Sequence, residues 1–314
     1  MTLGSLAIAV AALQLSCGVP RPVTTPPSPA RQCPSAVTPL APLDATSILF
    51  VRPHALFSDP QVGPILTHSF DDASEAALVR RAVRDGFDVR TLDRAVIAWS
   101  PRSTAYYVAG PLDAARVSDH LWERLLLPRH RTREDSFERV EGTIGHHLVG
   151  LLLDGTCATA AYVEGPDTRL LDRLILANTQ RDPDALVSWH AQQLPDGVGT
   201  QVDTALIRQV REIDVNVGRV ASGLTVNLQL TGAFAPESTE RVRAALRAIV
   251  TAPIGDLSGA VQWLDPDHAV QNPQPDRIVV EVIVPWRAAT ALAAALRGDT
   301  QTESHPEKST GHNL

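Results

Sequence analysis

Two stretches of this chain open a helix in the same way, 125 residues apart. Gly110-Pro111-Leu112-Asp113-Ala114-Ala115-Arg116-Val117 aligns with Ala235-Pro236-Glu237-Ser238-Thr239-Glu240-Arg241-Val242, and Leu121 then coincides with Leu246. In each, proline stands in the first turn, where no backbone donor is needed, and an acid follows it at the positive end of the helix dipole. Each also gathers apolar residues on one face: Val117, Leu121 and Leu125 in the first, and Val242, Leu246, Ile249 and Val250 in the second. A helix patterned this way is stable only when that stripe is buried, so the chain must build a surface for it twice. Weaker echoes come from the openings Asp44-Ala45 and Asp184-Ala185 and from the prolines Pro166 and Pro285. Start signals of this kind also coincide by chance, and the order of the surrounding elements has to decide.

That order repeats as well. Period-2 and continuous apolar runs predict strands, and 3.6-residue periodicity predicts helices. The first pass reads strand 47–51, helix 73–83, strands 95–99 and 105–109, helix 112–126, strands 137–140, 145–153 and 157–163, and helix 167–177. The second reads strand 185–189, helix 201–211, strands 213–220 and 224–230, helix 237–250, strands 259–264 and 277–284, and helix 287–297. The expected fold is α+β: internally duplicated antiparallel or mixed sheets with amphipathic helices on one face, as two subdomains or one long sheet. The expected boundaries are a signal peptide over 1–16, a proline-rich tether over 17–42, a first repeat over 43–181, a second over 182–298 and a disordered tail over 299–314.

With 44% hydrophobic and 20% charged residues, the chain can bury one large or two modest cores. Only 4% is aromatic, so those cores must be made of Leu, Val, Ile and Ala. A net charge of -7 gives no general attraction for a phosphate backbone, which argues against nucleic acid as a partner.

Leu3 to Leu15 is an uncharged, mostly apolar run of signal-peptide length, too short for a stable membrane span. It ends at Leu13-Gln14-Leu15-Ser16-Cys17-Gly18, which resembles the lipobox of bacterial exported lipoproteins, with Gln14 standing where leucine is usual and no Lys or Arg preceding Arg21. The resemblance covers this segment alone. It implies cleavage before Cys17, lipid attachment to that cysteine and a membrane partner through the anchor. It also implies that Gly18 permits an outer-membrane destination facing the periplasm or cell surface. Gly18 to Pro42 then carries eight prolines among Ser, Thr and Ala, a composition that stays extended and holds a body away from a membrane.

With Cys17 taken by lipid, Cys33 and Cys157 remain, an even pair for an oxidising compartment. They form a disulfide, or stay a free and a buried thiol. No Walker loop, Gly-x-Gly-x-x-Gly, Gly-x-Ser-x-Gly, His-Glu-x-x-His or paired Cys-x-x-Cys occurs. His146-His147 is the best local candidate for a metal or base, yet neighbours on a strand point to opposite faces, so at most one reaches any site. Asp265-Pro266-Asp267-His268 reads mainly as a turn, Asp71 and Asp72 as helix caps, and Arg129, His130, Arg131 and Arg133 as a solvated basic loop. His305 and His312 fall in the polar tail. No metal site and no cofactor is called from the sequence.

Two functions follow. The first is a lipid-anchored envelope protein that is a non-catalytic binding or structural module, its partner another envelope protein or an apolar ligand. The alternative is an envelope hydrolase or metal-dependent enzyme using His146 or His147. The anchor is tested by metabolic labelling with a fatty-acid analogue: label is expected in the wild type and absent from Cys17→Ala, and undiminished labelling of the variant removes the anchor from this cysteine.

Overall fold

The computed structural model describes residues 40–68, 82–135, 137–166, 171–176, 184–192, 206, 208–251 and 265–290. Among these, twelve strands form one sheet in which every pairing is antiparallel. From edge to edge it runs β13 (Val270–Gln274), β14 (Arg277–Pro285), β12 (Gly223–Gly232), β11 (Val210–Val220), β10 (Val187–Ala191), β2 (Ser47–Val51), β3 (Arg94–Trp99), β4 (Thr104–Ala109), β8 (Thr159–Gly165), β7 (His147–Asp154), β6 (Phe137–Ile144) and β5 (Leu126–Glu134). A separate pair joins β1 (Leu40–Pro42) to β9 (Leu174–Leu176).

The two halves of this sheet meet where β2 pairs with β10. Outward from that seam, β2, β3, β4, β8 and β7 follow in one direction, and β10, β11, β12, β14 and β13 in the other. In each direction a helix follows the third strand, α3 (Ala114–Arg124) after β4 and α4 (Ser238–Thr251) after β12. The first half carries an additional hairpin, β5–β6, at its outer edge. The seam register is symmetric about Leu49 opposite Trp189, with Ile48 opposite His190 and Phe50 opposite Ser188.

Residues directly opposite one another in antiparallel strands share a face, which makes the packing traceable by register. One row runs Val140, Leu151, Tyr162, Tyr106, Ile97, Leu49, Trp189, Val215, Leu228, Val280 and Val270, across eleven strands. Val117 and Leu121 of α3 pack into a cluster with Val140, Leu151 and Leu153. Val242 and Leu246 of α4 pack with Ile213, Leu230, Ile278 and Val280. Near the seam, α1 (Pro53–Ser58) and α2 (Val62–His68) bring Leu56 and Val62 onto Leu49 and Ile97. Asp59 fastens these short helices: its buried carboxylate accepts from the backbone N–H of Gln61 and Val62 and pairs with Arg219 of β11 at 2.8 Å.

On the opposite face the first half is covered by β1 and β9. Ala41 packs there with Ile48, Phe50, Val96, Ala98, Tyr107, Ala161 and Val163, and Leu171 seats over Gly150, where a Cβ would come within 2.7 Å of the leucine side chain. Strands buried on both faces cannot alternate polar and apolar residues, and the run Ser47-Ile48-Leu49-Phe50 is buried throughout.

Of the two expected arrangements, two subdomains or one long sheet, the twelve described strands form the single sheet. Several other expectations are corrected. Residues 40–42, expected at the end of the tether, form β1, because Ala41 is needed to cover the sheet. The helix expected over 167–177 is instead a 3-10 turn at Leu171–Arg173 followed by β9, since Leu174–Leu176 pairs with β1. In place of a helix ending at Arg211, a turn at 208–209 leads into β11, whose residues Val210 and Arg211 are extended. Arg129–Arg133 is no loop but part of the edge strand β5. The strand expected from Cys157 starts at Thr159, and the one expected from Gly145 starts at His147. The helix over 73–83 lies largely, and the strand over 259–264 entirely, outside the described residues.

Leu49 is 5% exposed at the centre of the seam, whereas Ile283 on β14 is 47% exposed. Truncating a buried leucine removes its transfer free energy and leaves a cavity, so Leu49→Ala is expected to cost about 2–5 kcal/mol and Ile283→Ala under about 1 kcal/mol. Equilibrium urea unfolding of the two variants measures the difference.

Candidate functional site

On the face opposite the helices, the second half of the sheet has a different chemistry from the first. Strict alternation produces it: Ile213, Val215 and Val217 of β11 turn toward the apolar clusters, so Asp214 and Asn216 face the other way. In β12, Leu228 and Leu230 alternate with Asn227 and Gln229. One register row on this face reads Val163, Ala105, Ala98 and Ile48 as far as the seam, and then His190, Asp214 and Gln229. The adjacent row changes from Tyr107, Val96 and Phe50 to Ser188, Asn216, Asn227 and Glu281.

These side chains hydrogen-bond across the strands. Ser188 Oγ donates to Asn216 Oδ1 at 2.7 Å, Arg277 Nη2 donates to Gln229 Oε1, and His190 Nδ1 lies 2.9 Å from Asp214 Oδ1. Glu212 joins the last pair, with Oε1 3.6 Å from the same imidazole nitrogen. The side chains of His190, Asp214 and Glu212 are 12%, 10% and 28% exposed. The register between β11 and β12 shifts between Val210 and Glu212, so Arg211 is an extra residue. That bulge lets Val210 join the apolar cluster while Glu212, two residues on, shares the polar face with Asp214. Among the described residues these three form the group of His and carboxylate side chains whose ligand atoms all lie within 4.8 Å of one another.

The residues singled out from the sequence sit elsewhere. Gly145 and His146 make the two-residue turn between β6 and β7, with Ile144 opposite His147, and both histidines are exposed. Gly145 has φ +59, the left-handed conformation such a turn requires. Asp265 caps the short helix α5 (Pro266–Ala269), accepting from the N–H of Asp267, and His268 Nδ1 lies 2.6 Å from its other oxygen. That hydrogen bond, then the one from Asp267, holds the Asp265 carboxyl below its usual range. Cys157 occupies the turn between β7 and β8 and is engaged in a disulfide. Cys17 and Cys33 lie outside the described residues, as do Asp71, Asp72, His305 and His312.

Two basic residues of β5, Arg129 and Arg131, serve packing. Arg129 donates to the carbonyl of Trp122 at 2.7 Å, with its guanidinium 4.1 Å from the indole centroid. Arg131 bridges Asp119 at 2.8 Å and the buried Glu138, which also accepts from Ser118 Oγ. Sequence reasoning missed His190, Glu212 and Asp214. The available signal was acid and histidine at alternating positions of otherwise apolar strands, Ser188-Trp189-His190 and Glu212-Ile213-Asp214-Val215.

No family model matches the chain, and no curated protein matches it. Among solved structures it is similar to TP0453, a Treponema protein, in crystal forms I and III. Each is 11% identical with a TM-score of 0.45, covering 81% and 82% of this chain and 94% and 98% of theirs. Form IV is 9% identical with the same TM-score, covering 81% of this chain and 96% of its own. A likeness of this degree transfers no activity, ligand or residue role. No helix among the described residues is long and apolar enough to cross a membrane.

Arg131→Ala strips the buried Glu138 of its cation and is expected to cost about 1–3 kcal/mol. Arg133→Ala on the same exposed strand is expected to cost under about 0.5 kcal/mol. Thermal unfolding of both variants separates a structural strand from a surface patch.

Proposed function

We propose that this chain is an exported, lipid-anchored cell-envelope protein whose duplicated α+β body is a non-catalytic binding module. The binding surface, on this reading, is the polar face of β10, β11, β12 and β14. The observation that carries it is the change at the seam: one register row is apolar as far as Ile48 and then hydrogen-bonding through His190, Asp214 and Gln229. A broad set of Ser, Asn, Gln, Thr and carboxylate side chains suits a hydrogen-bonding partner better than an apolar one.

Duplication supports the same reading. The matching helix starts, the equivalent strand order outward from the seam and the symmetric Leu49–Trp189 register agree with one ancestral unit copied and joined through its opening strand. Amphipathic helices on one face of each copy leave the other face to diverge. In the first copy it takes up β1 and β9; in the second it keeps its polar side chains. Cys17, carrying the lipid, and the proline-rich tether hold this surface near a membrane, and the disulfide at Cys157, formed with Cys33, fastens the tether to the body.

Photo-crosslinking in living cells tests the proposal. A benzophenone side chain placed at Asn227, on the polar face, is expected to give a discrete adduct that is absent when the probe replaces Arg102 in the β3–β4 turn. No adduct at Asn227, or the same adducts at both positions, overturns it.

A further inference from the structure

We propose that His190, Glu212 and Asp214 form a binding site for a divalent first-row transition cation. One imidazole nitrogen and two carboxylate oxygens come from adjacent strands on a single face. His190 Nδ1 stands 2.9 Å from Asp214 Oδ1 and 3.6 Å from Glu212 Oε1. Metal–ligand bonds of about 2.0–2.2 Å set neighbouring ligand atoms roughly 2.9–3.5 Å apart, the closer figure for octahedral and the wider for tetrahedral coordination. The two separations from His190 fall at or near that range, and all three ligand atoms lie within 4.8 Å of one another, so side-chain rotation can close the set around one cation.

The ligand chemistry selects the cation class. An imidazole nitrogen disfavours Ca²⁺ and Mg²⁺, which take all-oxygen shells, and suits Mn²⁺, Co²⁺, Ni²⁺ or Zn²⁺. Three protein ligands leave positions for water or for a group of a bound partner. The scaffold is rigid: β10 and β11 are interior strands, His190 and Asp214 are direct register partners, and the bulge at Arg211 turns Glu212 to the same side. Binding needs the Nδ1 lone pair, so the proton that Nδ1 shares with Asp214 moves to Nε2, and the hydrogen bond gives way to one bond from each residue to the metal.

This site goes beyond the binding module proposed above and is tested without any partner. The full mature protein, stripped with a chelator, is titrated calorimetrically with Zn²⁺ and separately with Mn²⁺. One stoichiometric site is expected for at least one of the two ions. It should be lost in His190→Ala and weakened at least about tenfold in Glu212→Gln, with His146→Ala and His147→Ala unchanged. Co²⁺ in place of the native ion should show visible d–d absorption that disappears in the same variants. Glu212 is the most exposed of the three, so Glu212→Gln, checked by its melting temperature, reports on binding if His190→Ala does not fold. Absence of stoichiometric binding in the wild type overturns the proposal. So does affinity in Glu212→Gln equal to that of the wild type.

Discussion

The pairing of β2 with β10 is the interaction on which the rest of the molecule depends. Each of these strands is five residues long, and each would be a sheet edge without the other. An edge presents a row of unpaired donors and acceptors and invites association with other chains. Joined, the two strands sit in the interior of a twelve-stranded sheet, and their outward neighbours align the apolar row that receives the helices. The seam is reinforced by side chains: Leu49 lies opposite Trp189, whose indole N–H donates to the buried Ser47 Oγ at 2.7 Å. These partners are 142 positions apart in the chain, so the contact closes a long loop and gains nothing from local order.

From that seam the two halves differ on one face only. The helix-bearing face is apolar in both, whereas the other is apolar beneath β1 and β9 and polar beyond β10. A polar group under a second layer must find a partner or cost roughly 1–3 kcal/mol. The covered half therefore contains Ile48, Phe50, Val96 and Ala98, closed by β1 together with β9 and Leu171. The adjoining face has no such requirement from that layer, and its Ser, Asn and Gln side chains satisfy one another across strands.

Much of this was legible in residues 47–51 and 213–230. Ser-Ile-Leu-Phe-Val is a continuous apolar run because it is covered on both sides, and Val-Asn-Leu-Gln-Leu alternates because its leucines join the apolar cluster while Asn227 and Gln229 face the other way. The α3 and α4 starts were readable because their signals act locally, although Pro111 and Pro236 stand just before the helices and not in their first turns, and α3 is capped by Asp113, which accepts from the N–H of Arg116. What escaped was set by distant partners. Strand β5 reads as a charged loop, since an edge strand with exposed faces has no apolar period and Arg131 is placed by Glu138 and Asp119. Residues 174–176 look helical by spacing, yet they pair with a strand some 130 positions earlier. The group at His190 spans two strands and a bulge, and only the register brings its members together.

Symmetry about the seam gives that group its meaning. If Leu49 and Trp189 are equivalent, so are Phe50 and His190, and the neighbour of Phe50 on β3, Val96, corresponds to the neighbour of His190 on β11, Asp214. Phe50 and Val96 pack together beneath Ala41, so in the first half this position anchors the covering strand. In the second half the same two places hold an imidazole and a carboxylate 2.9 Å apart. Both side chains are already largely buried, and the hydrogen bond between them offsets part of the desolvation cost. Where Phe50 and Val96 give β1 an apolar foothold, His190 and Asp214 give none, and they set a nitrogen and a carboxylate side by side on that face of the sheet.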